Sequence, residues 1–106
     1  MSVFKTLTPA AAEALIAACE PMILDCREIK DYRQAHIENA MHLHEQLRTT
    51  LLQKGDKQRH VLIYCYFGHA SEHVAEMFGD FGFKNVYSLG GGFAAWKEHC
   101  SAVREN

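Results

Sequence analysis

The chain has no run of basic residues, no apolar stretch of membrane length and no internal repeat. Each absence excludes a class. Lys and Arg number 11 against 13 Asp and Glu, for a formal net charge of −2, so the electrostatic footprint of a nucleic-acid binder is missing. The longest apolar run, from Val61 to Phe67, is strand-sized and far short of the ~20 residues that cross a bilayer. The opening Met1-Ser-Val-Phe-Lys-Thr-Leu-Thr-Pro9 lacks the basic-then-apolar build of a secretion signal. We therefore expect a cytoplasmic protein that binds neither nucleic acid nor membrane. Cysteine is limited to Cys19, Cys26, Cys65 and Cys100, irregularly spaced and without a Cys-x-x-Cys pair, which reads as reduced thiols rather than a disulfide framework. Proline occurs only as Pro9 and Pro21, leaving the remaining chain free for helices and strands.

What is present suits one α/β domain. At 106 residues there is room for a single core and no second domain. Thr8-Pro9 before an alanine-rich segment to Ala18 reads as a capped helix with proline at its first position. Met22–Asp25, Met41–Leu43, His60–Cys65 and Asn85–Ser88 read as strands. Helices are expected over Asp31–Ala35, Glu45–Gln53, Glu72–Phe81 and Phe93–Cys100. Strands alternating with helices imply a mostly parallel sheet, of about five strands, covered by helices on both faces. Ligands of such folds bind beyond the carboxyl ends of the strands, and Cys65 ends the most apolar one.

The segment Cys65-Tyr-Phe-Gly-His-Ala-Ser71 lies between that strand and an amphipathic helix. A short loop there can converge its backbone N–H groups on one point, where the helix adds its own unpaired amides and positive dipole end. A sulfur at that point is stabilised as the thiolate, the form that acts as a nucleophile. Gly68 permits a closed loop, Ala70 leaves room, and the Ser71 hydroxyl is free to bond the sulfur or cap the helix.

These residues resemble the rhodaneses, in particular the short single-domain thiosulfate sulfurtransferases of bacteria, and the resemblance covers nearly the whole chain. Leu24-Asp25-Cys26-Arg27-Glu28 is similar to the family's apolar-Asp-x-Arg-acidic signature, and Tyr32 with His36-Ile37-Glu38-Asn39-Ala40 to the segment that follows it. Cys65–Ser71 lines up with the seven-position active loop, and Gly82-Phe83, Asn85-Val86, Leu89, Gly91-Gly92 and Trp96 with the closing strand, turn and helix. Ala35 and Asn39 replace two usual glycines, and the loop has no Arg or Lys, leaving His69 as its one potential cation. The resemblance implies a cofactor-free transfer of sulfane sulfur through a Cys65 persulfide. Thiosulfate or a protein persulfide would be the donor, and cyanide, a thiol, or a thioredoxin-like or sulfur-carrier protein the acceptor. It implies that Tyr66, Phe67, Gly68, His69, Ala70 and Ser71 bind the substrate and persulfide, that Asp25 orients the loop, and that Arg27 fixes the surrounding polar network or forms a structural ion pair.

Competing functions are a non-catalytic module of the same fold, which typically lacks the cysteine, and a Cys-x5-Arg phosphatase or arsenate reductase, whose arginine is replaced here by Ser71. Tyr66, Phe67 and His69 at the loop tip offer a small docking surface for a partner thiol. His36 is expected to make an architectural hydrogen bond. His42-x-His44 shares one strand face but has no third ligand at a recognisable spacing, so no metal is expected. His73 belongs on an exposed face, and Phe93 and Trp96 in the core. Cys26 has the chemistry of a resolving thiol, but strand alternation points it away from Asp25, and with Cys19 and Cys100 it is read as having no catalytic part.

Overall fold

A computed structural model describes residues 4–104. In chain order the elements are β1 (Lys5–Leu7), α1 (Pro9–Cys19), β2 (Met22–Asp25), α2 (Ile29–Gln34), β3 (Met41–His42), α3 (Glu45–Lys54), β4 (Val61–Tyr64), α4 (Ala70–Asp80), β5 (Val86–Leu89) and α5 (Gly92–Arg104). The strands lie in the order β1-β5-β4-β2-β3, and every neighbouring pair is parallel. The sheet expected to be mostly parallel is thus wholly so.

Local signals explain most boundaries. Thr8 Oγ1 accepts the Ala11 amide at 3.2 Å and Pro9 takes the first turn of α1. Glu20 closes that helix in the left-handed region at φ 45°, its N–H donating to Ile16 O. His44 caps α3, its Nδ1 accepting the Leu47 amide, while His42 Nε2 bonds Arg27 O at 2.7 Å. Both histidines of the His42-x-His44 pair therefore have architectural work. Asn39 stands at φ 71°, a conformation asparagine tolerates in place of the usual glycine, and Ala35 is extended, which any residue permits.

β4 is buried along its whole length, and its side chains alternate between two cores. On one face Val61 and Ile63 join Met22 and Leu24 against Leu52 of α3 and Ala75 and Phe78 of α4. On the other, Leu62 and Tyr64 join Ile23 against Ala12 of α1 and Phe93 of α5. Each buried Val, Leu, Ile, Met or Phe among them contributes about 1.5–3 kcal/mol by leaving water. The two helical layers fix where the central strands end, and so where the segments after β2 and β4 meet.

Candidate active site

Cys65 follows β4 directly, and α4 begins only five residues later at Ala70. Within that span the chain turns back on the cysteine. Its Sγ accepts the Gly68 amide at 3.2 Å and the Ser71 amide at 3.3 Å, and the Ser71 hydroxyl lies 3.4 Å away. α4 starts two residues earlier than the sequence predicts, and Ser71 lies inside it rather than capping it. His69, at the cap position, makes no side-chain cap bond. The Cys65 sulfur fills that role, taking one of the orphan amides of the first turn.

Two glycines allow the close approach. Gly68 adopts φ +98°, and a Cβ there would lie 2.9 Å from the Gly91 nitrogen. Gly92 adopts φ +61°, and a Cβ there would meet the Tyr66 oxygen at 2.5 Å and the Cys65 oxygen at 2.7 Å. With no side chain intervening, the first turn of α5 holds the loop from behind: Phe93 N–H donates to Cys65 O at 2.9 Å and Ala94 N–H to Tyr66 O at 3.2 Å. The Tyr66 hydroxyl bonds the Asp31 carboxylate and accepts the Glu28 amide.

The Cys65 thiol is held down at about 4, so the sulfur is an anion at neutral pH. The adjacent Cys26 thiol contributes most, burial opposes it, and the Ser71 hydroxyl, Ser71 amide and Gly68 amide add to the lowering. The Ser71 hydroxyl is itself 2.8 Å from Ser88 Oγ, with both serines fully buried. A chain Ser88–Ser71–Sγ thus points hydroxyl donors at the thiolate. No sequence motif marks Ser88, although a serine within the strand Val86-Tyr-Ser-Leu89 must find a buried partner.

Cys26 requires a correction. Alternation does turn it from Asp25, but that sends it to the face of Cys65. β2 and β4 pair with Asp25 opposite Tyr64, so the next residues, Cys26 and Cys65, stand side by side. The Cys26 amide donates to Tyr64 O at 2.9 Å, and Cys26 Sγ lies 3.2 Å from the same oxygen. Its single S–H proton can serve that carbonyl or the Cys65 thiolate, and hydrogen bonding to the Cys65 sulfur is the main cause that pushes the Cys26 thiol up.

Asp25 and Arg27 lie beneath the loop on the opposite face. The guanidinium donates to both carboxylate oxygens, from Nη2 at 2.8 Å and Nε at 3.1 and 3.2 Å, and to Ala35 O at 2.6 Å. It sits 4.1 Å from the Phe93 ring centre and 5.7 Å from that of Tyr66. Asp25 therefore reaches the loop through Arg27 rather than by touching the cysteine.

Phe67 is 67% exposed and His69 and Ala70 are also open. Beside Phe67 a cleft of about 360 Å³ is lined by Arg27, Asp31, Tyr66, Phe67, Phe93 and Lys97 among others. Lys97 of α5 lines this cleft with Arg27 and lies 5.7 Å from the Phe93 ring centre. His36 Nδ1–H donates to Tyr32 O at 2.7 Å, and the imidazole stacks on the Tyr32 ring. His73 is exposed, Phe93 is buried, and Trp96 packs partly against the core. A larger cleft of about 890 Å³ between α1, α5 and residues 35–39 contains no loop residue.

The family model for the rhodanese-like domain matches residues 8–99. The chain is 40% identical over 96 residues to the thiosulfate sulfurtransferase GlpE of Coxiella burnetii, covering 91% of this chain and 90% of that protein. It is 34% identical to the protein of the same name from Vibrio cholerae, over 81% of each. The rhodanese-like domain from an Anabaena protein has the same fold, with a TM-score of 0.79 at 24% identity, covering 92% of this chain and 76% of that one. The chain belongs to the rhodanese-like domain family.

Proposed function

We propose that this protein is a thiosulfate sulfurtransferase that carries sulfane sulfur as a persulfide on Cys65. The observation that carries this reading is the set of donors around Sγ: two amides and a hydroxyl within 3.4 Å. The thiolate attacks the outer sulfur of thiosulfate, a new S–S bond forms, the old one breaks, and sulfite leaves with its electron pair. No general base is needed, because the proton is already gone. The same donors stabilise negative charge on the persulfide. An acceptor nucleophile then takes the outer sulfur and returns the thiolate: cyanide leaves as thiocyanate, a thiol as a persulfide. Lys97 raises the local concentration of the dianionic donor.

The names of the relatives from Coxiella and Vibrio support thiosulfate as donor. A phosphatase is disfavoured by the site itself. The sixth position after the cysteine is Ser71, buried against the sulfur, and an oxyanion clamp requires an arginine there. The test is intact mass after incubation with thiosulfate, beside Cys65→Ser. One added sulfur atom, absent from the variant and removed by cyanide, is the expected result. A protein that gains no sulfur from thiosulfate or from a persulfidated protein donor refutes the proposal.

A further inference from the structure

The mechanism above uses Cys26 only as a neighbour, yet it is a second thiol beside a nucleophilic one. We propose that Cys26 is a resolving thiol: when a hydroperoxide oxidises Cys65, Cys26 closes a disulfide with it across β2 and β4. This rests on the reading of Cys65 as a thiolate and adds a way for the site to survive oxidation.

Three observations carry it. The parallel register puts Cys26 opposite Cys65, one step past the Asp25–Tyr64 pair, and the Cys26 amide bond to Tyr64 O continues the ladder to that point. Paired positions on neighbouring strands lie about 4.8 Å apart, inside the roughly 4.4–6.8 Å between Cα atoms that a disulfide spans. Both side chains take the same face, since Cys26 packs against the core formed by Val61, Ile63 and Ala75. The remaining cysteines are elsewhere: Cys19 ends α1 and Cys100 lies in α5, the helices of the opposite face.

The steps balance. The Cys65 thiolate attacks the outer oxygen of the hydroperoxide and the O–O bond breaks. The alkoxide or hydroxide leaves and is protonated. Sulfur loses two electrons to the peroxide and becomes a sulfenic acid. The Cys26 sulfur then attacks Cys65 Sγ, the S–O bond breaks, and hydroxide leaves as water with the Cys26 proton. A dithiol reductant reopens the disulfide by two exchange steps and restores both thiols. The order of events is built in. The thiolate of Cys65 is what keeps the Cys26 thiol protonated, and conversion to a neutral sulfenic acid removes that charge and frees Cys26 to react. Without a neighbour to trap it, a sulfenic acid proceeds to sulfinic and sulfonic acids that thiols do not reverse.

The experiment treats the full-length protein with hydrogen peroxide, quenches with iodoacetamide, and maps the tryptic peptides. Expected is a loss of two hydrogens in intact mass, a crosslink between peptides 6–27 and 60–84, and activity that falls and then returns fully with dithiothreitol. Repeating the map with Cys19→Ser and Cys100→Ser assigns the link to Cys26. In Cys26→Ser, Cys65 should pass to the sulfinic acid and the lost activity should not return. No crosslink, with equal sulfinic acid in both proteins, overturns the resolving role whatever the variant's stability. Rapid alkylation of untreated Cys65 at pH 6 accompanying that result leaves the sulfurtransferase reading standing. Slow alkylation there overturns the thiolate on which both rest.

Discussion

Removing the Ser71 hydroxyl isolates one donor from the thiolate site. Ser71→Ala keeps the backbone amide on the sulfur and deletes only the hydroxyl at 3.4 Å. A hydrogen bond to a charged group contributes about 1.5–3 kcal/mol, and one pH unit corresponds to about 1.36 kcal/mol. The ionisation midpoint of Cys65, about 4 in the native protein, should therefore rise by about one to two pH units. The sign follows from the charge: less stabilisation of the anion means that more alkali is needed to form it. At pH 5 the thiolate fraction falls by up to about tenfold, while near pH 7.5 it barely changes. The assay is the rate of iodoacetamide alkylation at residue 65 against pH, with circular dichroism to bound the range in which the protein stays folded. Ser88→Ala is the companion variant. It breaks the same 2.8 Å serine–serine bond but leaves the hydroxyl on the sulfur, so its midpoint should move less, while both variants lose about 1–3 kcal/mol of stability for a buried hydroxyl left without its partner. A native midpoint near the ordinary thiol value of ~8.5, or a Ser71→Ala midpoint equal to the native one, would refute the reasoning.

Three further perturbations test the frame around the sulfur. Asp25→Asn leaves the buried Arg27 guanidinium without its counter-charge and should cost about 3–5 kcal/mol in denaturant unfolding; a loss under about 1 kcal/mol would show the pair to be dispensable. Gly92→Ala drives a methyl group into the carbonyls of Tyr66 and Cys65 at 2.5 and 2.7 Å. It should raise the alkylation midpoint of Cys65 and lower kcat, and an unchanged pair of values would mean the α5 turn does not hold the loop. Lys97→Glu should raise KM for thiosulfate with little change in kcat, and the difference should shrink at high salt; a salt-independent effect would remove Lys97 from the account of the donor site.

The parts of this molecule legible from its sequence are those encoded locally. Thr8-Pro9, the apolar run from Val61 and the helix-period stripe after Ser71 each announce an element through neighbours in the chain. β1 does not, because Lys5-Thr-Leu7 is a short edge strand with two exposed positions and acquires its identity only by pairing with β5. The same division runs through the site. Cys65 and its loop are contiguous in the chain. Alternation within β2 says nothing about the register of Cys26 against β4, and register is what brings the two thiols together. Ser88 reaches the sulfur from β5 through Ser71, and no spacing in the sequence connects it to residue 65.

The sulfur to which the proposed chemistry is assigned also accepts an amide from the first turn of α4, and this ties the proposed nucleophile to the fold in an evolutionary sense. A cysteine used only for reaction could drift to alanine without structural penalty once the activity was no longer selected. Here alanine would strip the helix of its cap, a loss of about 0.5–2 kcal/mol, in addition to removing the proposed nucleophile. Serine, aspartate or asparagine at position 65 would remove the proposed sulfur carrier yet still accept the amide. The path by which such a chain could become an inert binding domain therefore runs through those residues, and a descendant bearing one of them would keep the loop as a finished anion-binding shape with nothing left to react.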